Sequence, residues 1–303
     1  MIREALKSNV ELLVSSPERL LGFLDDVAGT LQRLYANRRI VDASLDEWDY
    51  IAVGDLHGDF DSLLKAVEEA ERSRYPESAR LVFLGDYVDR GEKQVETFTG
   101  VLWLLENFPE STIVLRGNHE PPPELHPYPH DFPFQLEIVY GRIAGSRLYR
   151  RFYGIFQLLP LAVLGDWGRV IFVHGGLPTR KYGRDDIGIR EYLGGNSREW
   201  TEEYTEMLWN DPIESDVVSI PSPRGVGYLW GRRVTEWLRE RYSVELVVRG
   251  HEPCQEGFRT NHDNTVITVF SRKGSPYYNE RACIMYIPTR ASASFKSSRL
   301  ICW

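Results

Sequence analysis

Leu81-Val82-Phe83-Leu84-Gly85-Asp86-Tyr87-Val88-Asp89-Arg90-Gly91 is the stretch on which the reading of this sequence turns. Its four leading apolar residues predict a buried parallel strand, and Gly85 lets the chain turn out of it. The loop beyond offers two carboxylates, Asp86 and Asp89, and the guanidinium of Arg90 within five residues. Asp86 stands at the carboxyl end of the strand, where doubly wound α/β sheets gather their ligand-binding groups. Alone, this would be an ordinary polar turn. Four further apolar runs end in the same way.

Working outward, the pattern from Asp49 to Glu120 reads β-α-β-α-β. Tyr50–Val53 predicts a strand ending in Gly54-Asp55-Leu56-His57-Gly58, and Leu63, Leu64, Val67 and Ala70 share one helical face over residues 61–72. A second helix over 94–107 precedes the strand Thr112–Leu115, which ends in Arg116-Gly117-Asn118-His119-Glu120. Residues 121–133 are rich in proline and predict an extended surface loop, with His126 and His130 as exposed loop histidines. A helical stretch over 134–157 comes next. Leu161–Leu164 and Arg169–Val173 predict a strand pair, the second ending in His174-Gly175-Gly176. Residues 178–227 read as loop-rich apart from a helix near 199–208. A helix near 234–241 leads to a strand over 244–248, ending in Arg249-Gly250-His251-Glu252. Residues 265–270 and 282–287 read as closing antiparallel strands. Upstream, Leu20, Leu21, Leu24, Val27, Leu31 and Leu34 recur at helical spacing and predict amphipathic helices up to about residue 37. The expected organisation is one domain, with a helical extension over 1–45 packed on a catalytic core of 46–303.

Composition limits the function classes. The chain is 42% hydrophobic and 26% charged, as a globular protein is. Its 36 basic residues against 44 acidic give a net charge of −8, which argues against nucleic-acid and anionic-membrane partners. No signal pattern opens the chain and no apolar stretch approaches membrane-spanning length, so a cytoplasmic location is expected. Cys254, Cys283 and Cys302 form no CxxC pair and read as three free thiols of a reducing compartment. Few Cys and Met beside many Arg, Glu and Tyr lean toward a heat-adapted source.

The five strand ends carry Asp55 and His57; Asp86, Asp89 and Arg90; Asn118 and His119; His174; and His251. Parallel strands set such loops side by side along one sheet edge, so distant residues can meet. Aspartate, asparagine and histidine are oxygen and nitrogen donors that suit manganese, iron, zinc or cobalt. Six candidate ligands, Asp55, His57, Asp86, Asn118, His174 and His251, exceed what one tetrahedral zinc needs. They suit two divalent ions sharing a carboxylate, with an activated water between them for phosphoryl transfer. Arg90 and Arg224 could grip the phosphate oxygens bidentately.

Taken in order, the motifs at 54–58, 85–91, 116–120, 174–176 and 249–251 resemble the phosphoprotein phosphatase family of serine/threonine phosphatases. Leu208-Trp-Asn-Asp-Pro212, Arg224-Gly-Val-Gly-Tyr-Leu-Trp-Gly231 and Phe270-Ser271 extend the resemblance over roughly 49–290. It looks closest to prokaryotic or archaeal chains of the type-1/2A kind. The resemblance implies a calcineurin-like metallophosphoesterase fold of the α/β class, a β-sandwich of mixed sheets flanked by helices. It also implies two divalent ions, manganese foremost. Asp55, His57 and Asp86 would hold the first, and Asp86, Asn118, His174 and His251 the second. His119 would protonate the leaving oxygen, oriented by Asp89, while Arg90, Arg224 and Asn118 would bind the phosphate of a phosphoprotein substrate. The sequence departs from the family at 121–133 and at Arg272-Lys-Gly-Ser-Pro-Tyr-Tyr278, which leaves phosphotyrosine activity open. It lacks the leucine-terminated tail of type-2A chains, so no regulatory subunit is inferred. A nucleotide hydrolase on the same scaffold and a catalytically dead phosphoprotein-binding module are the competing readings; the segments at 208–212 and 224–231 disfavour the first, the intact donor set the second.

Overall fold

Strands that are apolar along their whole length need cover on both faces, and that requirement dictates the layering. The computed structural model describes residues 1–35, 38–45, 47–195, 199–289 and 293–303. Its elements are α1 (Ile2–Val14), α2 (Pro17–Tyr35), β1 (Ile40–Ala43), β2 (Asp49–Val53), α3 (Phe60–Arg72), β3 (Ala79–Phe83), α4 (Gln94–Asn107) and β4 (Thr112–Val114). Then come α5 (Phe132–Leu158), β5 (Ala162–Gly165), β6 (Val170–Val173), α6 (Ile189–Tyr192), α7 (Glu202–Trp209), β7 (Asp211–Pro212), β8 (Ser219–Pro221) and β9 (Tyr228–Trp230). The chain closes with α8 (Arg232–Tyr242), β10 (Leu246–Arg249), β11 (Phe258–Asn261), β12 (Val266–Val269), β13 (Cys283–Ile287) and β14 (Arg299–Cys302).

Among the described residues the strands form a six-stranded sheet, β1-β5-β6-β10-β12-β11, a five-stranded sheet, β14-β13-β2-β3-β4, and a small sheet, β7-β9-β8. The two large sheets face each other. Tyr50, Ala52 and Val82 of one meet Phe172, Val248 and Ile267 of the other in a shared core. The alternate residues point outward: Ile51, Leu81 and Phe83 pack under α1 to α5, and Ile171, Val173 and Val247 under the helices of the far side. Both sheets mix parallel and antiparallel pairs. The protein is thus an α/β sandwich of mixed sheets flanked by helices, as expected.

The N-terminal helices belong to the main core, since Leu6, Val10, Leu20, Leu24, Val27 and Leu31 are buried among α3, α4 and α5. Each such side chain contributes about 1.5–3 kcal/mol by leaving water. The helical expectation to residue 37 reaches two residues, 36 and 37, that lie outside the described ones; the described helix ends at Tyr35. Ile40–Ala43, expected within the extension, is a strand of the six-stranded sheet, parallel to β5.

Three expectations need correction. The ligand-bearing strands do not share one sheet edge. β2, β3 and β4 lie in the five-stranded sheet, while β6 and β10 lie in the six-stranded one, and the loops meet across the sandwich. The segments at 265–270 and 282–287 are antiparallel only in part and lie in different sheets: β13 is antiparallel to β2 and β14, whereas β12, antiparallel to β11, runs parallel to β10. Sequence spacing cannot assign a strand to one of two sheets. Finally, the cysteines are not three free thiols. Antiparallel pairing sets Cys283 opposite Cys302, their Cα atoms 4.1 Å apart, and they form a disulfide; Cys254 is buried and free. A bond closed by strand register leaves no local motif to read.

Unfolded, unreduced protein should therefore titrate one thiol, that of Cys254; finding three would contradict the pairing. Replacing Cys283 and Cys302 together by alanine should lower unfolding free energy by about 2–4 kcal/mol, read as a denaturant midpoint.

Candidate active site

The loops leave their strands by tight turns, and in three of the five non-glycine residues take left-handed backbones. His57 (φ 41°), Asp86 (59°), Asp89 (66°), Arg90 (73°) and His251 (69°) all do so. Such conformations cost roughly 1–2 kcal/mol each and persist where surrounding contacts enforce them. Here they fold the side chains back over the strand ends. Gly117 lets two of the loops touch: a Cβ there would stand 2.2 Å from the Asp86 nitrogen. Between those loops sits Glu120. Its buried carboxylate accepts the backbone N–H groups of Asp86 (2.8 Å), Tyr87 (2.8 Å) and Gly117 (2.9 Å), so one side chain fixes two loops. Burial pushes its pKa up to about 7, against those three bonds.

The six candidate ligands converge in a buried cluster. His57 Nε2 lies 3.3 Å from Asp86 Oδ2 and 3.9 Å from Asp55 Oδ2. On the other side of the Asp86 carboxylate, His174 Nε2 lies 3.3 Å from Oδ1. Asn118 Oδ1 is 2.9 Å from both His174 Nε2 and His251 Nδ1. Asp55 Oδ1 reaches across to accept the His251 backbone N–H at 2.8 Å, joining the two sheets. Asp86 belongs to two compact triads, one with His174 and His251 and one with His57 and His119.

The donor chemistry suits cations. His57 Nδ1 is 2.8 Å from the Val88 carbonyl and His174 Nδ1 is 2.9 Å from that of Leu84. A carbonyl only accepts, so both Nδ1 atoms carry the proton and both Nε2 atoms present bare lone pairs. Those lone pairs face carboxylate oxygens in a buried cluster, an arrangement that a divalent ion would resolve. Burial, reinforced by the charge of neighbouring carboxylates, pushes the Asp55 pKa up to about 7 and that of Asp86 well above the carboxylate range. It drives those of His57, His174 and His251 well below the usual imidazole value. Neutral imidazoles beside carboxylates that resist charging form a site built for positive charge.

Beside this cluster, His119 Nδ1 lies 2.6 Å from Asp89 Oδ2. Burial lowers the His119 pKa, and Asp89 opposes that shift. For Asp89 burial acts upward, but hydrogen bonds and charge from His119 and His130 overcome it and hold the carboxyl well below its ordinary range. A cavity of about 410 Å³ opens over the cluster, lined by His57, Asp86, Asn118, His119, Arg90 and Arg224, with Tyr277 at one wall. Asp211 holds Arg224 by Nε at 2.7 Å, leaving its terminal nitrogens free to face a ligand, and also holds Arg249 at 2.8 Å. The structure thus brings together every residue singled out from the sequence.

It also adds some. His130 is not an exposed loop histidine: its side chain is buried against Asp89 and Tyr149, while His126 is exposed as expected. Tyr277 stacks on the His57 ring at 5.7 Å, and Tyr278 beside it faces solvent. Arg272 turns inward to donate to the backbone carbonyls of His57 and Ser275. Asp211 lay in the family-like segment 208–212, and His130, Arg272 and Tyr277 lay in the two segments that depart from the family; spacing alone assigned none of them its contacts.

Comparison with known proteins agrees with this geometry. Residues 50–255 match the family model described as calcineurin-like phosphoesterase. A solved protein serine/threonine phosphatase from Saccharomyces cerevisiae is similar at a TM-score of 0.75 and 19% identity, over 95% of this chain and 90% of that one. A cold-active protein-tyrosine phosphatase of a psychrophilic Shewanella species is similar at 0.53 and 15%, over 82% and 77%. At these identities the likeness is one of fold.

Chelator-stripped protein should melt lower than protein given Mn²⁺, by about 2.7 kcal/mol once the ion exceeds its Kd a hundredfold. Asp86→Asn, which removes the shared carboxylate charge, should lose most of that gain; an undiminished gain would place the ions elsewhere. Two sheets that aim five donor-bearing loops at one buried cation site, over a span matched by the family model, identify the chain as a member of the calcineurin-like phosphoesterase family.

Proposed function

We propose that this phosphoesterase hydrolyses phosphoserine and phosphothreonine in proteins, as a member of the phosphoprotein phosphatase branch. The observation that carries the reading is the His119–Asp89 pair, 2.6 Å apart, on the wall of a cavity that also presents Arg90 and Arg224. An alkoxide leaves poorly, so a serine or threonine ester needs an acid at its bridging oxygen. Asp55, His57 and Asp86 would hold one divalent ion, and Asp86, Asn118, His174 and His251 another, manganese foremost with iron, zinc or cobalt compatible. When bound, such ions lower the pKa of water toward neutrality and withdraw charge from phosphoryl oxygens.

The chain's own residues do the rest. Arg90 and Arg224 grip the non-bridging oxygens, and the Asn118 amide hydrogens can add to them. Water attacks phosphorus in line as the P–O ester bond breaks. His119 gives its Nε2 proton to the departing oxygen while Asp89 holds Nδ1–H. The bound phosphate dianion and Asp89 flank this imidazole with negative charge, which opposes the effect of burial and keeps the proton in place.

Phosphoprotein substrates, with neither nucleic acid nor membrane as partner, fit the net charge of −8. No helix among the described residues is long and apolar enough to cross a membrane. A cytoplasmic location agrees with the disulfide chiefly in a heat-adapted organism, where intracellular disulfides are common.

Phosphate release from matched phosphoserine, phosphothreonine and phosphotyrosine peptides, with stripped and Mn²⁺-loaded protein, tests the reading. Full activity without metal would refute it, and turnover of phosphotyrosine alone would reassign the substrate. Asp89→Asn and His119→Asn should each lower kcat by about 10²–10⁴ with little change in KM. Arg224→Ala should raise KM.

A further inference from the structure

The carboxylate of Asp89 has more partners than a simple acid–orienter pair needs. Oδ2 receives His119 Nδ1 at 2.6 Å and His130 Nδ1 at 2.8 Å. Oδ1 accepts the backbone N–H groups of Asp131 and Phe132, each at 2.9 Å. An ionised carboxylate has about four lone-pair sites, so Asp89 is saturated. Three of its four donors come from the end of the proline-rich loop and the start of α5.

We propose that His130 is a positioning residue for the general acid, and that the proline-rich loop uses it to lock the Asp89 carboxylate in the plane that aims His119 at the leaving oxygen. This rests on the phosphatase function proposed above.

With His119 alone, the carboxylate could rotate about Cβ–Cγ and carry the imidazole with it. The Oδ1 bonds to consecutive backbone N–H groups fix one end, and His130 fixes the other. His130 is in turn held from behind. Its Nδ1 donates to Asp89, so in the neutral ring Nε2 is an acceptor, and the Tyr149 hydroxyl 2.9 Å away donates to it. Tyr149 belongs to α5 and packs on Phe132 and Tyr153, ring centroids 6.3 and 5.9 Å away. The order of contacts runs from α5 through Tyr149, His130 and Asp89 to His119. The same loop steadies Arg90, whose backbone N–H donates to Asp131 Oδ1 (3.3 Å) and whose Nη2 donates to the Tyr128 carbonyl (3.4 Å). The segment that departs from the family pattern therefore braces the acid and touches a phosphate-binding arginine.

The test separates aim from fold by the leaving group. p-Nitrophenolate leaves without an acid, whereas a seryl oxygen needs one. His130→Phe keeps a ring but removes both hydrogen bonds. His130→Asn keeps a donor at the position of Nδ1. In Mn²⁺-loaded protein, His130→Phe should lower kcat for a phosphoserine peptide about 10- to 100-fold, the scale of a misaligned catalytic group. It should change kcat for p-nitrophenyl phosphate less than about 3-fold and leave KM for both nearly unchanged, while His130→Asn recovers most of the peptide rate. Equal losses on both esters, or no loss on either, would overturn the inference. If His130→Phe fails to fold, Tyr149→Phe takes its place, with a smaller loss of the same leaving-group dependence expected and an equal effect on both esters overturning it. A wild type silent toward both esters would instead remove the phosphatase function, and this inference with it.

Discussion

Lone pairs that face one another in a dry interior repel, and this molecule is arranged around holding several of them in that state. His57, His174, Asp55, Asp86 and Asn118 turn nitrogen and oxygen acceptors toward a common centre, 2.9 to 3.9 Å apart. The Val88 and Leu84 carbonyls take the His57 and His174 Nδ1 hydrogens, which leaves both Nε2 lone pairs turned toward the carboxylates. Positive charge supplied from outside would relieve that repulsion. A cluster of this kind cannot be assembled on flexible segments, since the chain would relax away from it.

Rigidity comes from the sheets and from polar bridges placed behind the donors. The strand ends are anchored in two cores, and Glu120, Asp55 and Asp211 each tie together groups far apart in sequence. These carboxylates do not share one purpose. Glu120 fixes backbones, Asp55 joins the two sheets while facing the centre, and Asp211 sets two arginines. The sandwich therefore acts as a frame in which the loops can be strained without being mobile.

The sequence exposed the donors because each follows an apolar run, and that pattern survives without three-dimensional knowledge. Strand, turn and donor recur at 53–57, 83–86, 114–118, 173–174 and 249–251. What stayed hidden depends on contacts that no periodicity encodes. The division of the strands between two sheets was not legible, because a parallel strand reads the same in either. The Cys283–Cys302 bond was not legible, because it follows from pairing register. His130 looked like an exposed loop residue because proline-rich segments usually run over the surface, and here the loop folds back onto Asp89. Arg272 lay in a segment that only departed from the family pattern, and nothing local showed that its guanidinium would donate to backbone carbonyls.

The disulfide has a consequence beyond the stability of one chain. Among the described residues β14 is one of the two edge strands of the five-stranded sheet, and it pairs with β13 alone. An edge strand held by a single neighbour can be traded between copies, since its place in the sheet can be taken by the same strand of another molecule. The covalent link between Cys283 and Cys302 makes that exchange impossible without bond cleavage. The bond thus ties this edge to its own sheet and disfavours swapping of β14.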